Sequence, residues 1–279
     1  MQTTLVTADW LKAQPLEEVM IFDATYFLPT MGRDGRKEYK KAHIPGAIFF
    51  DIDSIKDENS ELPHMIPSAK RFQNEMQNLG LNAGQQVVAY DNSLFLSSAR
   101  AWWMLRFFGH YAVAVLDGGL SSWKAAGGAL TDEFYDLPKG TFQAGASAKA
   151  DIIKFDELEQ AVRAGLADQI VDARAADRFA GSAPEPRPGL RAGHIPNSLN
   201  LPIGDILDQT TGKLKPAGEL SKLFAKAGLL MDQPVITTCG SGVTAAGLTL
   251  ALAVLGKTDI RLYDGSWSEW GASDAPIET

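Results

Sequence analysis

The single cysteine of this 279-residue chain, Cys239, stands in the tract VITTCGSGVTAAG. The run before it, Val235 to Thr238, is short and rich in β-branched residues. The run after it opens a long apolar stretch of helical character. Gly240 and Gly242 let the backbone curl tightly enough for successive N–H groups to face one centre. A helix entered near Val243 or Thr244 adds the unpaired N–H groups and partial positive charge of its first turn. A thiol held there is expected to ionise readily and to act as a nucleophile. The same cradle would stabilise a thiolate or a negatively charged sulfur attached to it. A lone cysteine is more often a small buried hydrophobe, but the strand–Cys–Gly–x–Gly–helix setting argues for chemistry.

Other residue types narrow that chemistry. A tyrosine-phosphatase loop needs an arginine six residues after the cysteine to clamp phosphoryl oxygens, and that position is Ala245. One cysteine cannot form an intrachain disulfide. The four histidines, His43, His64, His110 and His194, contain no HExxH pattern, so a structural metal site is not expected; no organic cofactor is implied either. Lys and Arg number 26 against 34 Asp and Glu, a net charge of −8. That sign disfavours nucleic acid and anionic membranes as partners. The first residues lack a basic segment followed by a long apolar run, so no secretory signal is expected. The longest apolar stretch, Gly242 to Gly256, is too short to span a bilayer. A cytoplasmic location is the expectation.

The elements that must position Cys239 recur. VMIFDAT, from Val19, is echoed by QIVDAR, from Gln169. HIPGAIFF at His43 is echoed by HIPNSLNL at His194, VVAYDN by VITTCG, and LDGGLSSW by YDGSWSEW. Asp23 to Asp172 is 149 residues, His43 to His194 is 151, Asp91 to Cys239 is 148 and Trp123 to Trp270 is 147. One near-constant offset for four motifs indicates two tandem copies of one domain. Strand–helix–strand lengths within each copy indicate an α/β fold, with a mainly parallel sheet flanked by helices and sites at the strand ends. The expected boundaries are residues 1–135 for the first domain, a Gly-, Pro- and Ala-rich linker at 136–150, and 151–279 for the second. Asp91 occupies the cysteine's place in the first copy, so only the second copy has the nucleophile.

The CGSGVTA loop, the two DG–W segments and the two HIP segments resemble the tandem rhodanese-domain sulfurtransferases, over nearly the whole chain from about Val6 to Trp270. The loop is similar to that of their 3-mercaptopyruvate branch. The thiosulfate branch typically has a basic loop of the type CRKGVTA. The resemblance implies two rhodanese-like domains, with the cysteine loop in the C-terminal one and substrate bound in the cleft between them. It further implies that sulfur moves from 3-mercaptopyruvate to the cysteine as a persulfide, releasing pyruvate. The sulfur then passes to cyanide, a small thiol or a thioredoxin-like protein. By the same resemblance the nucleophile is Cys239 and the loop hydroxyl is Ser241. Arg178 and Arg187 hold the substrate carboxylate, and Asp53 and His64 assist from the first domain. PRPG at Pro186 differs from the PRDG common in relatives but keeps Arg187. A two-domain chain of this kind is compatible with a monomer.

The residue chemistry is consistent with those roles. Arginine offers a rigid fork to a carboxylate. Ser241 can pass or orient the proton that the departing pyruvate needs, and His64 can relay it with Asp53 orienting the ring. Gly240, Gly242, Val243 and Thr244 supply the backbone cradle. That cradle has no basic side chain and suits a monoanionic organic thiol better than a dianion such as thiosulfate. Arg174 is expected to be a structural partner of Asp172 or Asp177. His43 and His194 occur in both copies although only one has the nucleophile, which makes them structural. Asp117, Gly118, Asp264 and Gly265 are read as turn residues. Trp267 and Trp270 are candidates for a pocket wall, with core packing favoured for Trp270. A thiosulfate sulfurtransferase and a low-turnover persulfide carrier are the competing functions.

Overall fold

The computed structural model describes residues 3–15, 18–145 and 151–279. The first half runs β1 (Leu5–Val6), α1 (Ala8–Lys12), β2 (Val19–Asp23), α2 (Gly35–Lys41), β3 (Ala47–Phe49), α3 (Ala69–Asn78), β4 (Gln86–Tyr90), α4 (Ser98–Phe107), β5 (Val113–Leu116) and α5 (Gly119–Ala125). The second half repeats the plan as β6 (Ile152–Ile153), α6 (Phe155–Ala164), β7 (Gln169–Asp172), α7 (Ala176–Phe179), β8 (Leu199–Asn200), α8 (Ala217–Lys226), β9 (Val235–Thr238), α9 (Val243–Val254), β10 (Ile260–Tyr263) and α10 (Ser266–Trp270). Each half forms a five-stranded sheet, ordered β1-β5-β4-β2-β3 and β6-β10-β9-β7-β8. All pairings within these sheets are parallel.

The strands read as unbroken apolar runs because both sheet faces are covered. Every residue of β2 and of β9 is buried. Two helices are buried almost all round. In α4 every residue except Arg106 is buried, and α9 is sequestered from Val243 to Leu252 apart from Thr244. Helices such as α3, α6 and α8 bury only one stripe, for example Phe72 with Met76 and Leu220 with Phe224. The hydroxyls of Thr237 and Thr249 meet at 2.9 Å, which pins α9 to β9 directly behind the cysteine loop.

Two compact units result. The first comprises Met1–Glu58, Ile66–Ala148 and Asp208–Leu214; the second comprises Asn59–Met65, Lys149–Leu207 and Lys215–Thr279. Contiguous blocks at 1–135 and 151–279 therefore miss two short segments that belong to the opposite unit. These segments, 59–65 and 208–214, are themselves separated by the repeat offset. The expected linker also differs in character. Up to Gly145 it is a strap on the first unit: Gly140 N–H donates to Gln77 O at 2.8 Å, Phe142 N–H to Leu81 O at 3.0 Å, and Gly145 N–H to Phe108 O at 2.8 Å. Phe142 is 1% exposed and sits edge-on to Phe72. Its composition reads as flexible, but one buried aromatic anchors it. The remainder of the expected linker, 146–150, lies outside the described residues.

The paired motifs do paired structural work. His43 is stacked on Tyr39, and its ring nitrogens lie 2.7 Å from Tyr39 O and 3.0 Å from Glu133 O. His194 is stacked on Phe179 and bonded to its carbonyl. Each forms an antiparallel bridge to the end of its own half, His43 to Thr131 and His194 to Glu278. Trp123 and Trp270 are core residues whose indole N–H groups donate to Ala129 O and Pro276 O.

Candidate active site

Cys239 immediately follows the C-terminal end of β9 and is 2% exposed. Its loop is clamped by the first turn of α10. Trp267 N–H donates to Cys239 O at 2.9 Å, and Ser268 donates to Gly240 O through both its N–H and its hydroxyl. The Ser266 hydroxyl accepts the N–H of Cys239 at 3.2 Å and of Gly242 at 3.1 Å, and donates to Tyr263 O at 2.8 Å. Its oxygen lies 3.9 Å from Cys239 Sγ. Ser266 adopts φ +50, a left-handed conformation that a non-glycine residue rarely takes. The sequence reading stopped at Asp264 and Gly265 as turn residues and missed Ser266. Its repeat counterpart is Gly119, also left-handed at φ +51, where a Cβ would come within 2.2 Å of Asp91 O. Gly242, at φ +79, caps α9 with no side-chain cap bond. The helix therefore opens with first-turn N–H groups that have no intrahelical acceptor. Val243 is buried there and Thr244 is partly exposed.

Ser241, buried beside the thiol in sequence, meets His64: its Oγ is 3.1 Å from His64 Nδ1. His64 is 3% exposed, takes φ +59, and lies in the 59–65 segment that belongs to the second unit. Asp53 is placed differently. It is exposed in a turn of the first unit, where its N–H donates to Asp51 Oδ1 at 3.1 Å. Cys239, Ser241, His64, Arg178 and Arg187 thus share one unit, and Asp53 belongs to the other.

Arg178 lies in the last turn of the short α7 and reaches the cysteine loop. A Cβ added to Gly240 would lie 3.2 Å from Arg178 Nη2, so this glycine leaves room for the guanidinium. Arg178 is held by Glu185, with Nη2 to Oε2 at 2.5 Å and Nε to Oε1 at 3.3 Å. Arg187 is partly buried in the following loop. Arg174 is 2% exposed and structural, paired with Asp172, bonded to Glu185 and Gly193 O, and stacked over Trp267 at 4.2 Å. Glu185 was not singled out from sequence, because an acidic residue between two prolines carries no periodic signal.

The corresponding place in the first unit is filled by its own anion. Asp91 accepts Ser93 N–H at 2.8 Å, Ser93 Oγ at 2.5 Å and, at the start of α4, Ser98 N–H at 2.9 Å. A carboxylate therefore holds, in the first unit, the strand-end position that the thiol holds in the second. Among the described residues no group of three or more His, Cys, Asp or Glu could hold a metal, and no helix is long and apolar enough to cross a membrane.

Two five-stranded parallel sheets of identical order, with a nucleophilic cysteine at one strand end and an aspartate at its counterpart, define a duplicated α/β sulfur-transfer architecture. The Rhodanese-like domain model matches residues 7–126 and 154–273, and the chain belongs to that family as a tandem member. The 3-mercaptopyruvate sulfurtransferase of Escherichia coli strain K12 is 44% identical over 280 residues, covering 99% of this chain and 98% of the relative. The enzyme of that name from Homo sapiens is 40% identical over 276 residues, covering 95% and 91%. The crystal structure of SseA from Escherichia coli superposes with a TM-score of 0.85 at 41% identity, covering 95% of this chain and 99% of that one. Tum1 from Saccharomyces cerevisiae does so at 0.89 and 33%, covering 98% and 96%. The chain is a sulfurtransferase with a persulfide-carrying cysteine.

Proposed function

We propose that the chain transfers sulfur from 3-mercaptopyruvate, through a persulfide on Cys239, to cyanide, a small thiol or a thioredoxin-like protein. The observation that carries this reading is the uncharged CGSGVT loop with Arg178 laid against Gly240. The loop leads directly into the first turn of α9, whose N–H groups have no intrahelical acceptor, and a guanidinium is at hand for a carboxylate.

The Cys239 thiolate attacks the donor sulfur. An S–S bond forms, the donor C–S bond breaks, and its electron pair goes to the methylene carbon of the departing pyruvate enolate. The S–H proton of the donor must end on that carbon to give pyruvate. Ser241 and His64, 3.1 Å apart, form a pair suited to carry it. The outer persulfide sulfur is left anionic, facing the helix entry and the loop N–H groups. An acceptor then attacks that outer sulfur, breaks the S–S bond and regenerates the thiolate. Arg178 and Arg187 bind the carboxylate, and Asp53 keeps the assisting role that the family resemblance implies.

Initial rates with 3-mercaptopyruvate and with thiosulfate, using one acceptor, test the reading on wild type and Cys239→Ser. The expected result is a clear preference for mercaptopyruvate, a mass gain of one sulfur atom on the wild type, and loss of both in the variant. A thiosulfate preference would keep the nucleophile and discard the donor assignment. A persulfide formed once without turnover would identify a carrier.

A further inference from the structure

Glu185 stands where two arginines of the second unit, Arg174 and Arg178, converge. Its side chain is 4% exposed. Oε1 accepts from Arg174 Nη1 at 2.9 Å and from Arg178 Nε at 3.3 Å, while Oε2 accepts from Arg178 Nη2 at 2.5 Å. Arg174 is matched a second time by Asp172, whose side chain is as buried as its own. Arg174 and Arg178 with Asp172 and Glu185 therefore make a closed set of two cations and two anions. Arg187, two residues beyond Glu185, has no side-chain hydrogen bond or ion pair within the chain among the described residues.

This arrangement fixes the charge offered to a donor. Arg178 Nη2 is the group that a Cβ on Gly240 would meet, so the Arg178–Glu185 pair lies against the cysteine loop. The loop itself adds no charged side chain. With Glu185 present, Arg178 beside Gly240 is charge-matched. Without that carboxylate it would be an unmatched cation against the cysteine loop. A ligand of charge −2 gains about twice as much from each added cation as a ligand of charge −1, and burial enlarges the difference.

We propose that Glu185 is a specificity-determining residue that keeps Arg178 charge-matched beside the cysteine loop and so tunes the site to a monoanionic, carboxylate-bearing thiol against a dianion such as thiosulfate. It acts through Arg178 and is a positioning residue in that sense. The proposal rests on the sulfurtransferase reading above and extends it to the origin of donor choice.

Glu185→Gln keeps size and one accepting oxygen and removes the charge. Its kcat/KM ratio, thiosulfate over mercaptopyruvate, is expected to rise about tenfold or more relative to wild type. Glu185→Asp keeps the charge and is expected to keep the wild-type ratio even where both rates fall. Equal losses on both donors in Glu185→Gln would make the residue merely structural and overturn the proposal. A second measurement needs no variant: pyruvate and sulfate are compared as competitors of the donor on wild-type enzyme at low salt. Tighter competition by pyruvate is expected, and sulfate binding as tightly or more tightly would overturn the assignment. A wild type inactive with mercaptopyruvate would refute the proposed function and this extension with it. That outcome is distinct from an active enzyme whose donor ratio ignores Glu185.

Discussion

In the proposed reaction the donor's S–H proton ends on the methylene carbon that the sulfur leaves, and Ser241 and His64 are the pair proposed to carry it. Their 3.1 Å approach makes them one unit. Ser241→Ala is expected to lower kcat by about a hundredfold or more, in the range usual for general acid–base groups. His64→Gln should fall similarly. The double variant should lose little beyond the larger single loss, because groups acting in series are not additive. Steady-state kinetics on the four proteins decides this; losses that multiply would separate the two residues. Cys239 and Ser241 were legible because the loop is contiguous and its glycines advertise a curled backbone. His64 was placed by family resemblance alone, since its own neighbourhood, LPHMIP, reads as a polar turn. Ser266 and Glu185 were not legible. Each acts through a fold contact some distance along the chain, Ser266 on the Cys239 loop and Glu185 on two arginines.

At the scale of elements, parallel strands and buried helices could be read directly, because burial on both faces writes largely apolar runs such as VVAY in β4 and GLTLALAV in α9. Short edge strands, β1, β6 and β8, have two residues each and are set by the neighbours they pair with, so no period announces them. The 136–145 part of the expected linker shows why composition alone does not place such a segment. Glycine and proline content describes its freedom in the unfolded chain, whereas one phenylalanine decides its place in the folded one. Phe142 packs with Phe72 and His110, and Gln77 donates to its carbonyl at 2.9 Å. Phe142→Ala is expected to destabilise the first unit by about 3–5 kcal/mol, the usual loss for a buried phenylalanine. Urea unfolding followed by tryptophan fluorescence measures it; a loss under about 0.5 kcal/mol, typical of surface positions, would return the segment to a free linker.

Over the whole molecule, duplication has left two copies of one buried aspartate in opposite electrostatic states. Asp172, at the end of β7, is matched by Arg174. Its counterpart Asp23, at the end of β2, has Thr25 where the arginine would be. Burial pushes Asp23 up to about 6, opposed by hydrogen bonds from Thr25 and Tyr90 and reinforced slightly by Asp91. A carboxyl whose folded pKa exceeds its unfolded value binds more protons when folded. Its contribution to stability is full below the unfolded value, 3.8, and is lost as pH rises through about 6. At neutral pH the first unit therefore holds a buried carboxylate without a cation, while the unit with the nucleophile holds the compensated pair. Asp23→Asn keeps an acceptor for Thr25 N–H, which Asp23 Oδ1 now takes at 3.0 Å. It should stabilise the protein at pH 7 to 8 by up to about 3 kcal/mol, and by nearly nothing at pH 4. The decisive quantity is the difference in unfolding free energy between variant and wild type across that range, because titration of all other carboxylates cancels in it. A gain that grows between pH 4 and 7 and then levels is the expected curve. A difference that is flat, or that favours wild type at pH 7, would mean that Asp23 is held ionised by its hydrogen bonds and that the two copies do not differ in this respect.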